Sequence, residues 1–451
     1  MRRASISMGV ITLLACSHDA TAPNATHSSR MALPQSTTPV SGEWMAQVVE
    51  ISPARGEFRG INDSGVAVGT WDGAAWQWKA GRLTRLFAGE AAKINNVGWV
   101  VGTSAEEIPG MGHTTNAVLW RNGSAQVLRD AGWQYSRGLD VNDEGVVIGN
   151  FQPEGTSYLS RSFFWDHGAY SYPCVFNFTE VVRLSLSALA DTRAAVGNVQ
   201  FGSDDVRAVY CSPSGTAINL DPSTPSLEFS SGTDINNRGQ LLVNRSIGRP
   251  QPLAYLWEAG IWTALPLPPG GNWAQATAMN ETGLVVGEFC CPAGEGPYAF
   301  VVEDGVAVDL HQVFDSTALG SYAADVNERG EVVGYVIRRL GPLAPQERLP
   351  VIWRRVSVAS RLAGLHEMIA ALETSGALNR GQANALTVKV DAAQRGFEGG
   401  RGPSTVNQLS AFLNQVDAWR RSGLVSAEQA EALQGAAEEL ISAIEREGDA
   451  S

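Results

Sequence analysis

The chain has 451 residues, with 33 Lys plus Arg against 46 Asp plus Glu, and a net charge of −13. That balance argues against nucleic acid as a partner, because phosphate binding needs cationic clusters. The length allows a core large enough that disulfides are not required. No apolar stretch beyond the N-terminal leader reaches the length of a membrane span.

Residues 1–16 read as an export leader rather than as structure. Arg2-Arg3 is a basic start, and the apolar run Met8 to Ala15 is too short to cross a bilayer. Leu13-Leu14-Ala15-Cys16 resembles a bacterial lipobox, in which the thiol is diacylated and the chain is cut before it. The resemblance implies lipidation at Cys16 and a membrane-anchored lipoprotein of the cell envelope, periplasmic or at the cell surface. The plain alternative is an ordinary secretory signal with a chance Cys. Residues 17–42 are rich in Ser, Thr, Pro and Ala, have little apolar content, and read as a flexible tether.

From residue 43 to 356 one phrase returns seven times: an aliphatic residue, Asn, two variable residues, Gly, then a β-branched run that usually ends in Gly. Its turn residues are Asn62 and Gly65, Asn95 and Gly98, Asn142 and Gly145, Asn236 and Gly239, Asn280 and Gly283, and Asn327 and Gly330. The fourth copy is worn, with Ala190 and Arg193 in those places. The steps between Asn positions are 33, 47, 48, 46, 44 and 47 residues. Asn followed at the fourth position by Gly is the composition of a type I turn, with Gly taking the left-handed conformation after it. Each phrase is therefore a hairpin. A second hairpin signal follows most copies, as in Ala117-Val118-Leu119-Trp120-Arg121-Asn122-Gly123. Four strands in each unit of 40–50 residues predict propeller blades.

The last unit has no final strand, while Trp44 to Ile51 has no unit of its own. The expectation is that this N-terminal strand completes the last blade and removes its exposed edge. The fold class is then an all-β seven-bladed β-propeller followed by a small all-α four-helix domain. An eight-bladed or open arrangement is the alternative. The phrase and its Ala-Phe-Leu-Trp-like strand resemble the HAF repeat, a bacterial, mostly extracellular family. That resemblance implies a secreted scaffold or binding module, and no activity comes with it.

Near residue 359 the apolar period changes from two to about three and a half. Leu362, Leu365, Ile369 and Leu372 share one helical face, and Leu409, Phe412, Leu413 and Val416 another. Breaks at Gly376, Gly399-Gly400, Pro403 and Gly423 divide residues 359–447 into four helices. Asn379 with Gln382 and Ser426 with Gln429 match capping boxes. The stretches 375–386 and 422–433 repeat each other at an offset of 47 residues, which reads as a duplicated helical hairpin. The residues Gly376 to Leu386, Gln408 to Phe412 and Gln429 to Leu433 resemble the FIMAH domain. The resemblance implies association with an extracellular matrix, polysaccharide or protein partner; a helical cap with no partner is the plainer alternative.

Chemistry is sparse. With Cys16 set aside, Cys174, Cys211, Cys290 and Cys291 remain. Cys211 occupies the slot that holds Trp120, Trp165 or Trp257 elsewhere, and Cys174 lies one unit earlier. A disulfide between neighbouring blades and free buried thiols both fit, and metal binding fits poorly. No His motif, nucleophile elbow or phosphate loop is present. Asp140, Asp234 and Asp325 each stand two before a phrase Asn, where turn capping explains them better than Ca²⁺ binding. The Trp series reads as blade packing. No catalytic residue, metal or cofactor is expected. The function expected is a non-catalytic exported lipoprotein with a propeller recognition module and a docking tail. The alternative is a propeller-type glycosidase or lyase with carboxylates at the central funnel.

Overall fold

The computed structural model describes residues 44–449 apart from 109–111, 157–158, 173, 175–180, 203–204, 223–226, 249–250, 291–295, 315–316 and 342–343. Cys16, the leader, the tether and Cys291 lie outside the described residues. Seven four-stranded antiparallel sheets form a propeller, and four helices follow. Blades 1 to 6 span residues 56–88, 90–128, 133–171, 181–219, 227–264 and 273–309.

Each phrase connects the innermost strand of a blade to its second strand. In blade 1, Gly65 N–H donates to the Asn62 carbonyl at 2.9 Å, and Asn62 N–H donates to Val66 at 3.1 Å. Gly65 has φ of 72°, as do its counterparts at 72–92° in the other phrases that keep Gly. Arg193 takes φ of 68° in the worn copy, so that turn keeps the shape at the cost of a Cβ in left-handed backbone. The innermost strand of every blade also carries a register shift near its end, between Phe58 and Gly60 in blade 1 and between Gly138 and Asp140 in blade 3. Bulges of this kind bend a strand and re-aim its side chains.

Blade 7 takes three strands from residues 318–355 and its fourth from the strand Trp44–Val48. Ala46 lies opposite Trp353 and Val48 opposite Val351. Trp44 is buried among blade 6 and 7 side chains, with the Arg355 guanidinium 5.1 Å from its ring centre. Beyond the strand, Glu50 receives Arg338 through two bonds of 2.7 and 2.8 Å. The short first step of 33 residues costs nothing, because blade 1 simply has shorter strands and loops.

Each of the seven blade interfaces has its own buried cluster. Phe58, Ile61 and Trp78 pack on Val333 and Ile352 at the seam between blades 1 and 7. The Trp slot serves this packing, and Trp165 and Trp353 are fully buried. Where blade 4 has Cys211 in that slot, it forms a disulfide with Cys174, Cα to Cα 5.5 Å, which ties blade 3 to blade 4.

The helices are α1 (Val358–Thr374), α2 (Arg380–Glu398), α3 (Gly402–Arg421) and α4 (Ala427–Asp449). Asn379 and Gln382 form a reciprocal capping box, as do Ser426 and Gln429. Pro403 falls inside the first turn of α3, where its missing N–H is harmless, rather than in the break before it. The four helices enclose a core of their own, with Leu365, Leu386, Phe412 and Leu440 among its buried members.

Replacing Trp44 with Ala should lower stability by about 3–5 kcal/mol in urea unfolding, the range for deleting a buried aromatic. A change below about 0.5 kcal/mol, the size of an ordinary surface substitution, would mean that the N-terminal strand does not complete blade 7.

Candidate functional site

The axial channel is where the blades meet, and its two ends differ. At the turn end, five of the six phrase Asn residues do two jobs, while Asn236 donates to Gln240 of its own turn. The Asn62 Oδ1 accepts from Ser64 and Val66 N–H, both at 3.1 Å, and fixes its own turn. Its Nδ2 donates to the Asn95 carbonyl in the next blade at 3.0 Å. Asn95, Asn142, Asn280 and Asn327 make the same forward bond, and Asn327 reaches Asn62 across the seam. An ionised Asp could cap the turn but has no donor for the forward bond.

The residue after each Asn forms a second, complete ring. Asp63 N–H donates to the Asn96 side chain, and so on through Asp143, Asp191, Asn237, Glu281 and Glu328, whose N–H returns to Asp63. All seven bonds measure 2.7–2.9 Å. The mouth is thus rimmed by five carboxylates, each accepting a neighbour's N–H.

Below the rim lies a cavity of about 330 Å³. In four blades the residue two before the phrase Asn lines it. Asp140, Asp234 and Asp325 come from blades 3, 5 and 7, and Lys93 comes from blade 2. Each Asp accepts the N–H of the following blade: Leu189 to Asp140 at 2.8 Å, Met279 to Asp234 at 2.7 Å and Ile61 to Asp325 at 2.9 Å. Lys93 Nζ reaches Asp325 at 2.6 Å. At Gly60 of blade 1 a Cβ would sit 3.1 Å from the Lys93 Cα, so the two strands approach closely there. Burial opposes the charge on Lys93, but attraction from Asp325, Asp234 and Asp140 outweighs it and raises the pKa. Burial pushes the Asp140 carboxyl up, and it pushes that of Asp234 up to about 7 against the pull of Lys93. These three Asp residues are therefore not isolated caps. They cap, and they also share one ammonium.

At the far end the slot after the closing Gly is occupied by Thr70, Thr103, Asn150, Asn198, Asn244, Glu288 and Tyr335 in blade order. Asn150 and Asn198 donate to Ser185 and Ser231 of the next blade at 2.5 and 3.1 Å. Asn244 exchanges two bonds with the Ala276 backbone. Glu288 breaks this pattern. It is 8 % exposed, its Oε2 has no hydrogen-bond partner, and burial pushes its carboxyl up to about 7. Beside it Tyr322 and Tyr335 stack at 4.4 Å, with Arg348 4.7 Å from the Tyr335 ring centre. Arg348 also meets Glu57 at 2.9 Å, and Arg59 bonds the other Glu57 oxygen at 2.6 Å.

In the sequence the phrase Asn and Gly residues read as turn formers, and nothing in it signals the forward bonds of the Asn side chains. No single blade holds this cluster of Glu, Arg and Tyr; the structure assembles it from blades 1, 6 and 7. The available signal was the slot after the closing Gly, where Glu288 and Tyr335 replace Thr or Asn. Among the described residues no group of three or more His, Cys, Asp or Glu is placed to hold a metal ion, and no helix is long and apolar enough to cross a membrane.

Residues 362–442 match the FIMAH domain family. No curated protein sequence matches the chain. Among solved structures, TolB from Acinetobacter baumannii is similar at 8 % identity and a TM-score of 0.37, covering 63 % of this chain and 78 % of that one. A gluconolactonase, XC5397 from Xanthomonas campestris, gives 12 %, 0.34, 71 % and 93 %. A puromycin-hydrolysing peptidase from Mycobacterium tuberculosis gives 13 %, 0.41, 67 % and 53 %. Similarity at that level assigns no function. The fold defines a seven-bladed propeller, and the chain joins it to a FIMAH domain.

The raised carboxyl of Asp234 has a testable consequence. A group whose folded pKa lies above its unfolded value contributes stability that is present below the unfolded pKa and is lost as pH rises through the folded one. Here that window runs from about 4 to about 7. His311, depressed by burial to about 4, acts in the opposite sense over part of the range. The readout is therefore a difference between two proteins. From pH 4.5 to 8, wild type should lose on the order of 2–4 kcal/mol relative to Asp234→Asn in urea unfolding. A pH-independent difference would contradict the assignment.

Proposed function

We propose that the protein is a non-catalytic, exported surface lipoprotein. Its propeller serves as a rigid recognition module and its helical unit as a docking tail. One observation carries this reading: the FIMAH match falls on a helical unit with its own core, joined to a propeller whose turn-end carboxylates all hold blades together. Asp140 and Asp234 each accept two backbone N–H groups, so neither is spare for acid–base work at the mouth. The resemblance of the phrases to HAF repeats and of Leu13 to Cys16 to a lipobox supports export and anchoring. The partner class that fits is an extracellular matrix component, a polysaccharide or a protein.

A propeller glycosidase or lyase is the second reading, favoured by the raised carboxyl of Glu288 between blades 6 and 7. It would require a second carboxylate free to act with Glu288. Glu57 is held by two arginines.

Capture of the intact chain and of a chain ending at Val356 on cell-envelope and matrix fractions tests docking. Loss of capture on truncation is expected, and equal capture would remove the docking role. Fatty-acid labelling of cells should mark the wild type and not Cys16→Ala. Equal labelling of both would remove the anchor.

A further inference from the structure

We propose that the seam between blades 6 and 7, away from the turn end, is a binding site for an organic ammonium group, held by the Glu288 carboxylate beside the Tyr322 and Tyr335 rings. This rests on the propeller acting as a recognition module and names the chemistry it would recognise.

Departure from the repeat marks the place. In blades 3, 4 and 5 the equivalent side chain is an amide that bonds the next blade. Blade 6 puts a carboxyl there instead and leaves one oxygen buried and unbonded. Val286 precedes Glu288 by two residues and packs with Ala323 and Val332 of blade 7. Side chains two apart on a strand share a face, so Glu288 also faces blade 7. The hydroxyl of Tyr322 agrees. Burial first and the charge of Glu288 second push its pKa up to about 12.

The charge balance points to a cation. Among the described residues Glu288 has no ion-pair partner. The nearby guanidiniums of Arg59 and Arg348 are both engaged with Glu57. The other titratable neighbours are Tyr322, Tyr335 and, on the same strand, Cys290. An ionised Glu288 thus lacks a counter-charge, and an ammonium ion would supply both that charge and the missing donors. A hydroxyl ligand would satisfy the oxygen but not the charge, and the experiment separates the two.

The probe is butylammonium chloride, with butan-1-ol as its neutral counterpart and sodium chloride to match ionic strength. The readout is the unfolding midpoint of the intact protein, since a ligand of the folded state raises it. Butylammonium should produce a saturable rise at pH 8. Its apparent affinity should fall about tenfold at pH 6, where Glu288 takes up a proton. Butanol should give no saturable rise, and Glu288→Gln should abolish the response to butylammonium. The pH comparison uses wild-type protein and so does not depend on the variant folding. No saturable rise at pH 8, an affinity equal at both pH values, or an equal response to butanol would each overturn the proposal. Truncation at Val356 leaves this site intact, so the docking reading and this one fail separately.

Discussion

Seven backbone N–H groups, each donated to the side chain of the next blade, make the propeller a closed object. A blade is a small four-stranded sheet that cannot bury both faces alone. Apolar clusters between blades supply the bulk of the stabilisation, but apolar packing is non-directional and does not by itself count to seven. The polar ring does. Each turn must lie where its neighbour's side chain can accept, and Glu328 must find Asp63 after a full circuit. The N-terminal strand in blade 7 and the Arg338–Glu50 pair beyond it secure the same seam at the outer edge.

That construction explains a surface feature which would otherwise suggest chemistry. Five acidic side chains around a mouth, and three more beneath it, look like a metal or catalytic funnel. In this chain they act as acceptors for neighbouring backbone. The single Lys93, standing where other blades have Asp, Ala or Gly, offsets part of their mutual repulsion. The second strands, away from the turns, follow a different rule. There the amides of blades 3 to 5 tie one blade to the next, and Glu288 does not. A buried carboxyl without a partner is costly.

Much of this was legible in the sequence. The phrase spacing gives the number of blades, because a hairpin at fixed period leaves few other architectures. The missing strand at one end and the surplus strand at the other give the closure. Helical caps at Asn379 and Ser426 are local, and local chemistry reads directly. What stayed hidden is long-range. That Asn62 serves both its own turn and Asn95 depends on where the next blade lies. The meeting of Lys93 with Asp325, 232 residues apart, depends on closure of the ring, which brings blades 2 and 7 to one cavity. Glu57, Glu288 and Tyr335 sit in three different units, and only ring closure brings blade 1 beside blade 7.

The most direct measurement is amide hydrogen exchange at Asp63, Asn96, Asp143, Asp191, Asn237, Glu281 and Glu328. These amides sit in exposed turns and would exchange quickly if nothing held them. A closed ring predicts that all seven are protected together, with Glu328 no weaker than the rest. Fast exchange at Glu328 against slow exchange at the other six would show a ring that is open at the seam, because the Glu328 N–H is the one donated across it.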